Sequence, residues 1–267
     1  MAIAIEGAAK RYLRRGREIE ALAPVTLTIE DGAFVAFLGP SGCGKSTMLN
    51  MIAGIIPPSE GRIVHDGRVV EGINRRVGYM TQVDSLLPWR TAEDNIGLPL
   101  ELQGVAKPEA RARIDRMLAM VKLEQFRRHF PVELSGGMRK RVALAQVLAY
   151  DPPTLLMDEP FGALDAQLKL VMQAELTAIW EESRKTVVFV THDIAEAVAL
   201  ADRVVVFTTR PGRVASVHEI DLKRPRDIFR NPEAIFRIFE GPGQMFQKVG
   251  ASSANAGAAA KTPAAKT

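Results

Sequence analysis

Short apolar runs alternate along the chain with longer segments whose apolar residues recur at helical spacing. Five of these runs predict buried strands, at residues 33–38, 77–80, 154–159, 186–190 and 203–207. The intervening segments predict helices, among them 48–53, the segment after Asp165 with Leu168, Met172, Leu176, Ile179 and Trp180 on one face, and 194–200. Trp180 is therefore predicted to be a core residue. The alternation predicts an α/β fold.

Near the N-terminus the pattern changes to that of antiparallel strands. Residues 25–30 alternate apolar and polar side chains before an Asp31-Gly32 turn, and residues 3–6 resemble a partner strand. A further strand at 61–67 enters a hairpin at Asp66-Gly67. We expect a strand also at 213–220, after an Arg210-Pro211-Gly212 turn. The first three strands predict an antiparallel β subdomain beside the α/β core.

Residues 91–150 predict an inserted all-helical subdomain. Pro108 begins a helix that runs to Leu123, and a second helix covers 139–149. A terminal helix is predicted from Asn231-Pro232 to about Gly241. We therefore expect one domain over residues 1–248 and a disordered tail rich in Ala, Lys and Thr over 249–267.

Composition excludes some classes of protein. No apolar run reaches the roughly 18 residues that cross a bilayer, and the N-terminus lacks a signal-peptide layout. We therefore expect a chain that stays in the cytoplasm. Cys43 is the only cysteine, which excludes an internal disulfide and a cysteine-based metal site. The net charge of +4 is spread along the chain, so a nucleic-acid footprint is not indicated.

The strongest chemical signal follows the first buried strand, in a segment that matches the phosphate-binding pattern G-x-x-x-x-G-K-S/T. Glycine lets the backbone turn its N–H groups toward phosphate oxygens, and the helix that follows adds its positive end. Lys45 would reach the terminal phosphates, Ser46 would bind Mg²⁺ and Thr47 the α-phosphate. The alternative is a glycine-rich turn that only begins a helix. The segment consists of Gly39, Pro40, Ser41, Gly42, Cys43, Gly44, Lys45, Ser46 and Thr47.

Polar residues end three other buried strands. Gln82 follows the strand 77–80, Asp158 and Glu159 end the run 154–159, and His192 follows the run 186–190. The carboxyl ends of parallel strands meet at one edge of a sheet, where ligands bind. We expect Gln82 and Asp158 to face the same Mg²⁺ as Ser46, Glu159 to polarise the attacking water, and His192 to contact the γ-phosphate. The alternatives are a solvated turn for the acids and a structural role for the histidine.

Three further features remain open on the residues alone. Tyr12, in the basic stretch 10–15, stacks on an adenine ring or is a half-buried strand aromatic. Ser135-Gly136-Gly137 forms a second anion site at a helix start or is an ordinary Ser cap. The loop 83–90, with its leucines and Trp89 expected to be exposed, is a docking site for a partner or covers a small core of its own.

The order of these motifs resembles that of the ATP-binding cassette ATPases over roughly residues 3–240. The motifs are GPSGCGKST, Gln82, LSGGM, LLMDEP, ALD and His192. The resemblance implies a P-loop NTPase core that binds ATP with Mg²⁺, with Tyr12 on adenine. It also implies Gln82 as the Q-loop residue, Ser135-Gly136-Gly137 as the signature, Asp158 as the Mg²⁺ carboxylate, Glu159 as the catalytic base, Asp165 as the D-loop acid and His192 as the switch histidine. The signature ends in Met138, where the family usually has Gln.

Finer features are similar to those of the nitrate, sulfonate and taurine importer ATPases. They are LSGGM followed by Arg139-Lys140-Arg141, the Leu87-Pro88-Trp89 loop, DEPFGALDAQLK and Arg210-Pro211-Gly212-Arg213. The resemblance implies a head-to-tail homodimer on the cytoplasmic face of the bacterial inner membrane. The implied partners are transmembrane permease subunits and, indirectly, an extracytoplasmic substrate-binding protein, and no nucleic acid is expected.

One rival interpretation is a soluble cassette ATPase that acts on nucleic acid or ribosomes. Such relatives usually carry two cassettes or a long coiled-coil insertion, and this sequence has neither.

Overall fold

A computed structural model of the chain describes residues 2–14, 16–209, 211–224 and 226, which belong to one compact unit. Among these residues no helix is both long enough and apolar enough to span a bilayer. Arg210, the predicted helix from Asn231 and the predicted tail from residue 249 lie outside the described residues.

A six-stranded sheet forms the centre of this unit. Its spatial order is β10-β9-β3-β8-β7-β6, with β10 antiparallel to β9 and all other pairs parallel. The strands β3, β7 and β8 are buried along their whole length, which confirms the predicted core runs. The bounds are β3 Phe34–Leu38, β6 Val77–Met80, β7 Thr154–Asp158, β8 Thr186–Thr191, β9 Arg203–Thr208 and β10 Arg213–Glu219.

The second sheet is antiparallel, as the sequence predicts, and has the order β2-β1-β4-β5. Its strands are β1 Ile3–Arg14, β2 Arg17–Ile29, β4 Glu60–His65 and β5 Arg68–Val69, with the turn at Asp66-Gly67 between the last two. The prediction of short strands at 3–6 and 25–30 was wrong in length. The stretch around Tyr12 continues β1, because register shifts after Ile5 carry the pairing with β2 past irregular positions.

Helices fill the remaining segments. The predicted helical insertion contains α2 Ala92–Leu102, α3 Lys107–Met120 and α4 Gly136–Tyr150, with short 3-10 turns at Glu124–Phe126 and Pro131–Glu133. The helix predicted from residue 139 begins three residues earlier, because the Ser135 hydroxyl accepts a hydrogen bond from the Met138 amide and caps the first turn. Around the core sheet lie α1 Lys45–Ile52, α5 Ala166–Ser183 and α6 Ile194–Leu200.

The parallel registers bring the predicted site residues to one edge of the core sheet. Leu38, the last residue of β3, pairs with Thr191 of β8, and Asp158 of β7 pairs with Val190 of β8. The segments that follow these strands therefore leave the sheet at the same level. Behind them, Phe34 packs against Trp180, which is 3% exposed, so the prediction of Trp180 as a core residue is confirmed.

Candidate functional site

The loop between β3 and α1 lines a hollow on the protein surface. Gly44 caps α1 with a φ of 93°, a left-handed conformation that favours glycine. A Cβ atom at this position would lie 2.9 Å from Leu22 Cδ1 of β2. The loop is therefore packed closely against the antiparallel sheet, and the positive end of α1 faces the hollow.

Lys45 is held inside the loop. Its Nζ donates hydrogen bonds to the carbonyl oxygens of Gly39 at 2.6 Å and of Pro40 at 2.9 Å, and the residue is 5% exposed. Cys43, a residue of the same loop, is buried, with its Sγ 3.6 Å from Nζ. The ammonium group is thus fixed at the base of the loop, where a phosphate oxygen would receive its charge.

A cavity of 180 Å³ opens over this loop. Hydroxyl, amide, ammonium and carboxylate groups contribute to its lining, and this set of groups fits a triphosphate with Mg²⁺. The phosphate loop, Gln82 and Glu159 therefore meet in one cavity. The lining residues are Ala21, Ser41, Gly42, Gly44, Lys45, Ser46, Thr47, Gln82 and Glu159.

Asp158 is 3% exposed and is not among the residues that line the cavity. Burial raises the pKa of its carboxyl group, while a hydrogen bond with the Ser46 hydroxyl and the nearby charges of Lys45 and Lys140 oppose that rise. A buried carboxylate beside a serine hydroxyl is the oxygen pair that Mg²⁺ accepts in phosphate sites. Ser46 and Asp158 are thus suited to hold the ion.

Glu159 contacts two other polar residues that follow the buried strands, Gln82 and His192. Its Oε2 accepts a hydrogen bond from Gln82 Nε2 at 3.4 Å, and its Oε1 lies 3.3 Å from His192 Nδ1. Its backbone has a φ of 50°, in the left-handed region that a non-glycine residue rarely adopts, and its amide donates to Val190 O at 3.0 Å. A backbone of this kind at a carboxylate between an amide and an imidazole is typical of a functional site.

A polar network holds the residues on either side of His192. Thr191 Oγ1 donates to Glu196 Oε2 and accepts from the Asp193 amide, and Lys169 Nζ of α5 pairs with Glu196 Oε1 at 2.6 Å. These contacts fix the backbone on both sides of His192, whose own side chain is 60% exposed. Only the long-range fold brings α5 to this position.

Other predicted residues lie apart from the cavity lining. Tyr12 is 40% exposed on β1, with Lys10 Nζ 5.4 Å from its ring centre. Asp165 caps α5 by accepting a hydrogen bond from the Leu168 amide at 2.9 Å. Ser135, Gly136 and Gly137 begin α4, outside the set of residues that line the cavity. Their predicted contacts with nucleotide remain predictions.

The loop 83–90 shows features of both predicted roles, docking of a partner and coverage of a small core. Trp89 is 71% exposed, as a docking site requires. The expectation that its leucines are exposed was wrong for Leu86, which is 8% exposed, because Asn95 of α2 holds the loop down through hydrogen bonds to the backbone of Leu87. The large apolar side chains that the loop exposes are therefore Trp89 at its tip and Val83 at its start, which is 77% exposed.

The sequence reasoning missed several residues that shape the site. Ala21 lines the cavity, and Gly212 packs so closely that a Cβ atom there would lie 2.1 Å from Cys43 O. Glu196 and Lys169 form the network below His192. The one available signal was spacing, because Glu196 lies four residues after His192 and Lys169 four residues after Asp165.

Comparisons with known proteins agree with this geometry. A profile of the ABC transporter family matches residues 22–162. The chain is 49% identical over 211 residues to the taurine import ATP-binding protein TauB of Rhizobium johnstonii, covering 79% of this chain and 80% of that protein. It is 38% identical over 250 residues to the aliphatic sulfonates import ATP-binding protein SsuB of Bacillus cereus, covering 94% and 98%.

A solved structure shares the fold. It is the dimeric post-hydrolysis state of the ATP-binding cassette MJ0796 bound to ADP and Pi, with a TM-score of 0.77 and 35% identity. The similarity covers 83% of this chain and all of that one, at 100%. The α/β cassette with its antiparallel sheet and helical insertion is thus the expected fold.

Proposed function

The chain belongs to the ABC transporter family, and we propose that it is the ATP-hydrolysing motor subunit of a bacterial importer for taurine or a related sulfonate. The observation that carries the proposal is the position of Glu159. Its carboxylate lines the phosphate-loop cavity while it contacts both Gln82 and His192. The relatives that import taurine and aliphatic sulfonates support the choice of solute.

The residues of the cavity divide the chemistry between them. Lys45 and the amides around α1 hold the phosphates, and Ser46 with Asp158 would hold Mg²⁺, which neutralises charge on the transferred phosphoryl group. Glu159 orients and polarises the attacking water from its fixed backbone. His192, 3.3 Å from Glu159, would contact the γ-phosphate and keep the carboxylate aimed at the water.

The site is completed by a second copy of the chain. Ser135, Gly136 and Gly137 begin a helix but do not line their own chain's cavity. In a head-to-tail dimer they would close over the nucleotide of the partner subunit, adding donors and removing water where charge develops. The dimeric state of the related cassette supports this arrangement.

The exposed tip of the loop 83–90 is the proposed contact with permease subunits. Trp89 is exposed next to Gln82's loop, so movement of a permease there would reach the cavity. The subunit would lie on the cytoplasmic face of the inner membrane, and an extracytoplasmic substrate-binding protein would deliver the solute to the permease.

Uptake of labelled taurine by cells that lack this gene tests the proposal. We expect the wild-type chain to restore uptake and Glu159→Gln to fail. Glu182→Gln, which changes an exposed glutamate of α5, should restore uptake as the wild type does. Uptake that does not depend on the gene would contradict the choice of solute. Purification with nucleic acid and without a permease would contradict the transport function itself.

A further inference from the structure

Two neighbouring side chains of α4 contact the segment 81–84, which carries Gln82. Lys140 is 9% exposed, and its Nζ donates hydrogen bonds to the carbonyl oxygens of Thr81 and Gln82. Arg139 Nε pairs with Asp84 Oδ2 at 3.2 Å, and its Nη1 donates to Leu134 O at 2.8 Å. The loop is thus attached to α4 at two points, one on each side of residue 83.

The Lys140 contacts lie in the protein interior, whereas the Arg139–Asp84 pair is partly exposed, with side chains 36% and 24% exposed. Burial lowers the pKa of Lys140, and the charges of Asp84, Asp158 and Glu159 favour its ammonium form. An ammonium group that leaves its carbonyl partners inside the protein loses hydrogen bonds that water does not replace. If α4 shifts, the loop around Gln82 therefore moves with it.

The same helix begins at the predicted contact with the partner subunit. Ser135 caps α4, and Lys140 lies just over one helical turn further on. At the other end of the connection, Gln82 Nε2 donates to Glu159 Oε2 at 3.4 Å. A path therefore runs from Ser135 along the first turns of α4 to Lys140, and through the contacts of Lys140 with Gln82 and of Gln82 with Glu159.

We propose that Lys140 is a positioning residue that sets Gln82 against Glu159 according to the position of α4. Contact of the α4 start with the nucleotide of the partner subunit then adjusts the hydrolytic carboxylate of the chain's own site. This inference rests on the proposed function, because it requires an ATP-closed dimer. Within that function it couples the two half-sites through one buried side chain.

The test uses the full chain in the Glu159→Gln background, where hydrolysis does not remove the nucleotide. Three second changes are each added to this background. They are Lys140→Met, Lys140→Arg and the control Lys122→Met, which changes an exposed lysine of the helical insertion. Binding of a fluorescent ATP analogue reports on the single half-site. Light scattering across an ATP titration, with Mg²⁺ present, reports on dimer formation.

We expect Lys140→Met to bind the analogue within about threefold of the parent but to need at least about tenfold more ATP to dimerise. Lys140→Arg, which keeps a donor at the same place, should recover most of the dimerisation, and Lys122→Met should match the parent. A role in folding alone would not separate binding from dimerisation in this way.

The outcomes distinguish this inference from the proposed function. If the Glu159→Gln parent does not dimerise with ATP, the composite site itself is wrong. If the parent dimerises and Lys140→Met dimerises at the same ATP concentration, the positioning role is overturned. Loss of analogue binding together with dimerisation would also overturn it, because Lys140 would then belong to the nucleotide site.

If Lys140→Met shows no cooperative unfolding transition, and so is not folded, variants of the Asp84–Arg139 ion pair provide the test instead. Asp84→Arg and Arg139→Asp should each weaken dimerisation, and the double exchange should recover it, since the ion pair is restored with reversed charges. Dimerisation by both single variants at the parent's ATP concentration would overturn the coupling.

Discussion

Replacement of Lys169 by Met tests whether the network below His192 sets the activity. Lys169 Nζ lies 2.6 Å from Glu196 Oε1 and 3.3 Å from Asp193 Oδ2, and Thr191 Oγ1 donates to the other oxygen of Glu196. The Glu196 side chain is 6% exposed and that of Lys169 is 24% exposed. Without the lysine, Glu196 keeps one donor and a buried charge.

The magnitude follows from this burial. Removal of one partner from a fully buried ion pair costs about 3 to 5 kcal/mol. Because Lys169 is partly exposed, water reaches the vacated position, and we expect a loss of about 2 to 3 kcal/mol. In a domain of this size each kcal/mol lowers Tm by about 2 to 4 °C, so Tm should fall by roughly 4 to 12 °C. We also expect kcat to fall by about tenfold, because misplacement of a catalytic group by a fraction of an ångström has effects of this order.

Calorimetry and steady-state ATPase kinetics measure the two effects. The double variant Lys169→Met with Glu196→Met should recover much of the Tm, since an apolar pair avoids the buried charge. It should not recover kcat, because in the double variant Thr191 loses its partner Glu196. The control Arg62→Met removes an ion pair with Glu6 whose side chains are 61% and 44% exposed, and it should cost no more than about 1 kcal/mol with kcat unchanged.

Two results would contradict the role assigned to Lys169. A Tm within about 1 °C of the wild type would show that Glu196 does not depend on Lys169 for its charge. Recovery of kcat together with Tm in the double variant would show that the network acts only through stability and not through the position of His192.

Three further predictions concern the cavity. Lys45→Ala should weaken ATP binding by at least about tenfold in a fluorescence titration, since its charge-assisted contacts to phosphate are lost; unchanged affinity would count against the loop's role. Asp158→Asn should raise the Tm measured without Mg²⁺ at neutral pH. Burial raises the pKa of Asp158 in the folded protein, so the ionised carboxylate, which is the main form above that pKa, disfavours the folded state; the neutral amide of Asn removes this cost. The same variant should lose the gain in Tm that Mg²⁺ with ATP confers, and an Asp158→Asn variant less stable than the wild type at neutral pH would contradict the burial argument. Gly212→Ala should weaken ATP binding by displacing the phosphate loop, because a Cβ atom there would lie 2.1 Å from Cys43 O, and calorimetric titration with wild-type affinity would show that the loop tolerates the displacement.

The parts of the site that the sequence predicts are those with local signals. The phosphate loop, Gln82, Glu159 and His192 each follow a short buried run, and parallel strands carry such positions to one edge whatever the rest of the fold. Asp158 was found in the same way. The strand order was not needed to predict that these residues meet.

Long-range contacts leave no such signal. Lys140 is 58 residues from Gln82 in the chain, and a lysine on a helix predicts a solvated position rather than one that is 9% exposed. Leu86 was misjudged because the hydrogen bonds of Asn95 that hold its loop down depend on where α2 lies. The length of β1 was underestimated because its register shifts interrupt the alternation of apolar and polar residues.

The most direct test of the central claim is the behaviour of Glu159→Gln in Mg²⁺ and ATP. We expect hydrolysis lower by about 10² or more and a larger dimer fraction by light scattering with ATP than without it. Hydrolysis at the wild-type rate, with no ATP-dependent dimer, would contradict both the role of Glu159 and the composite site.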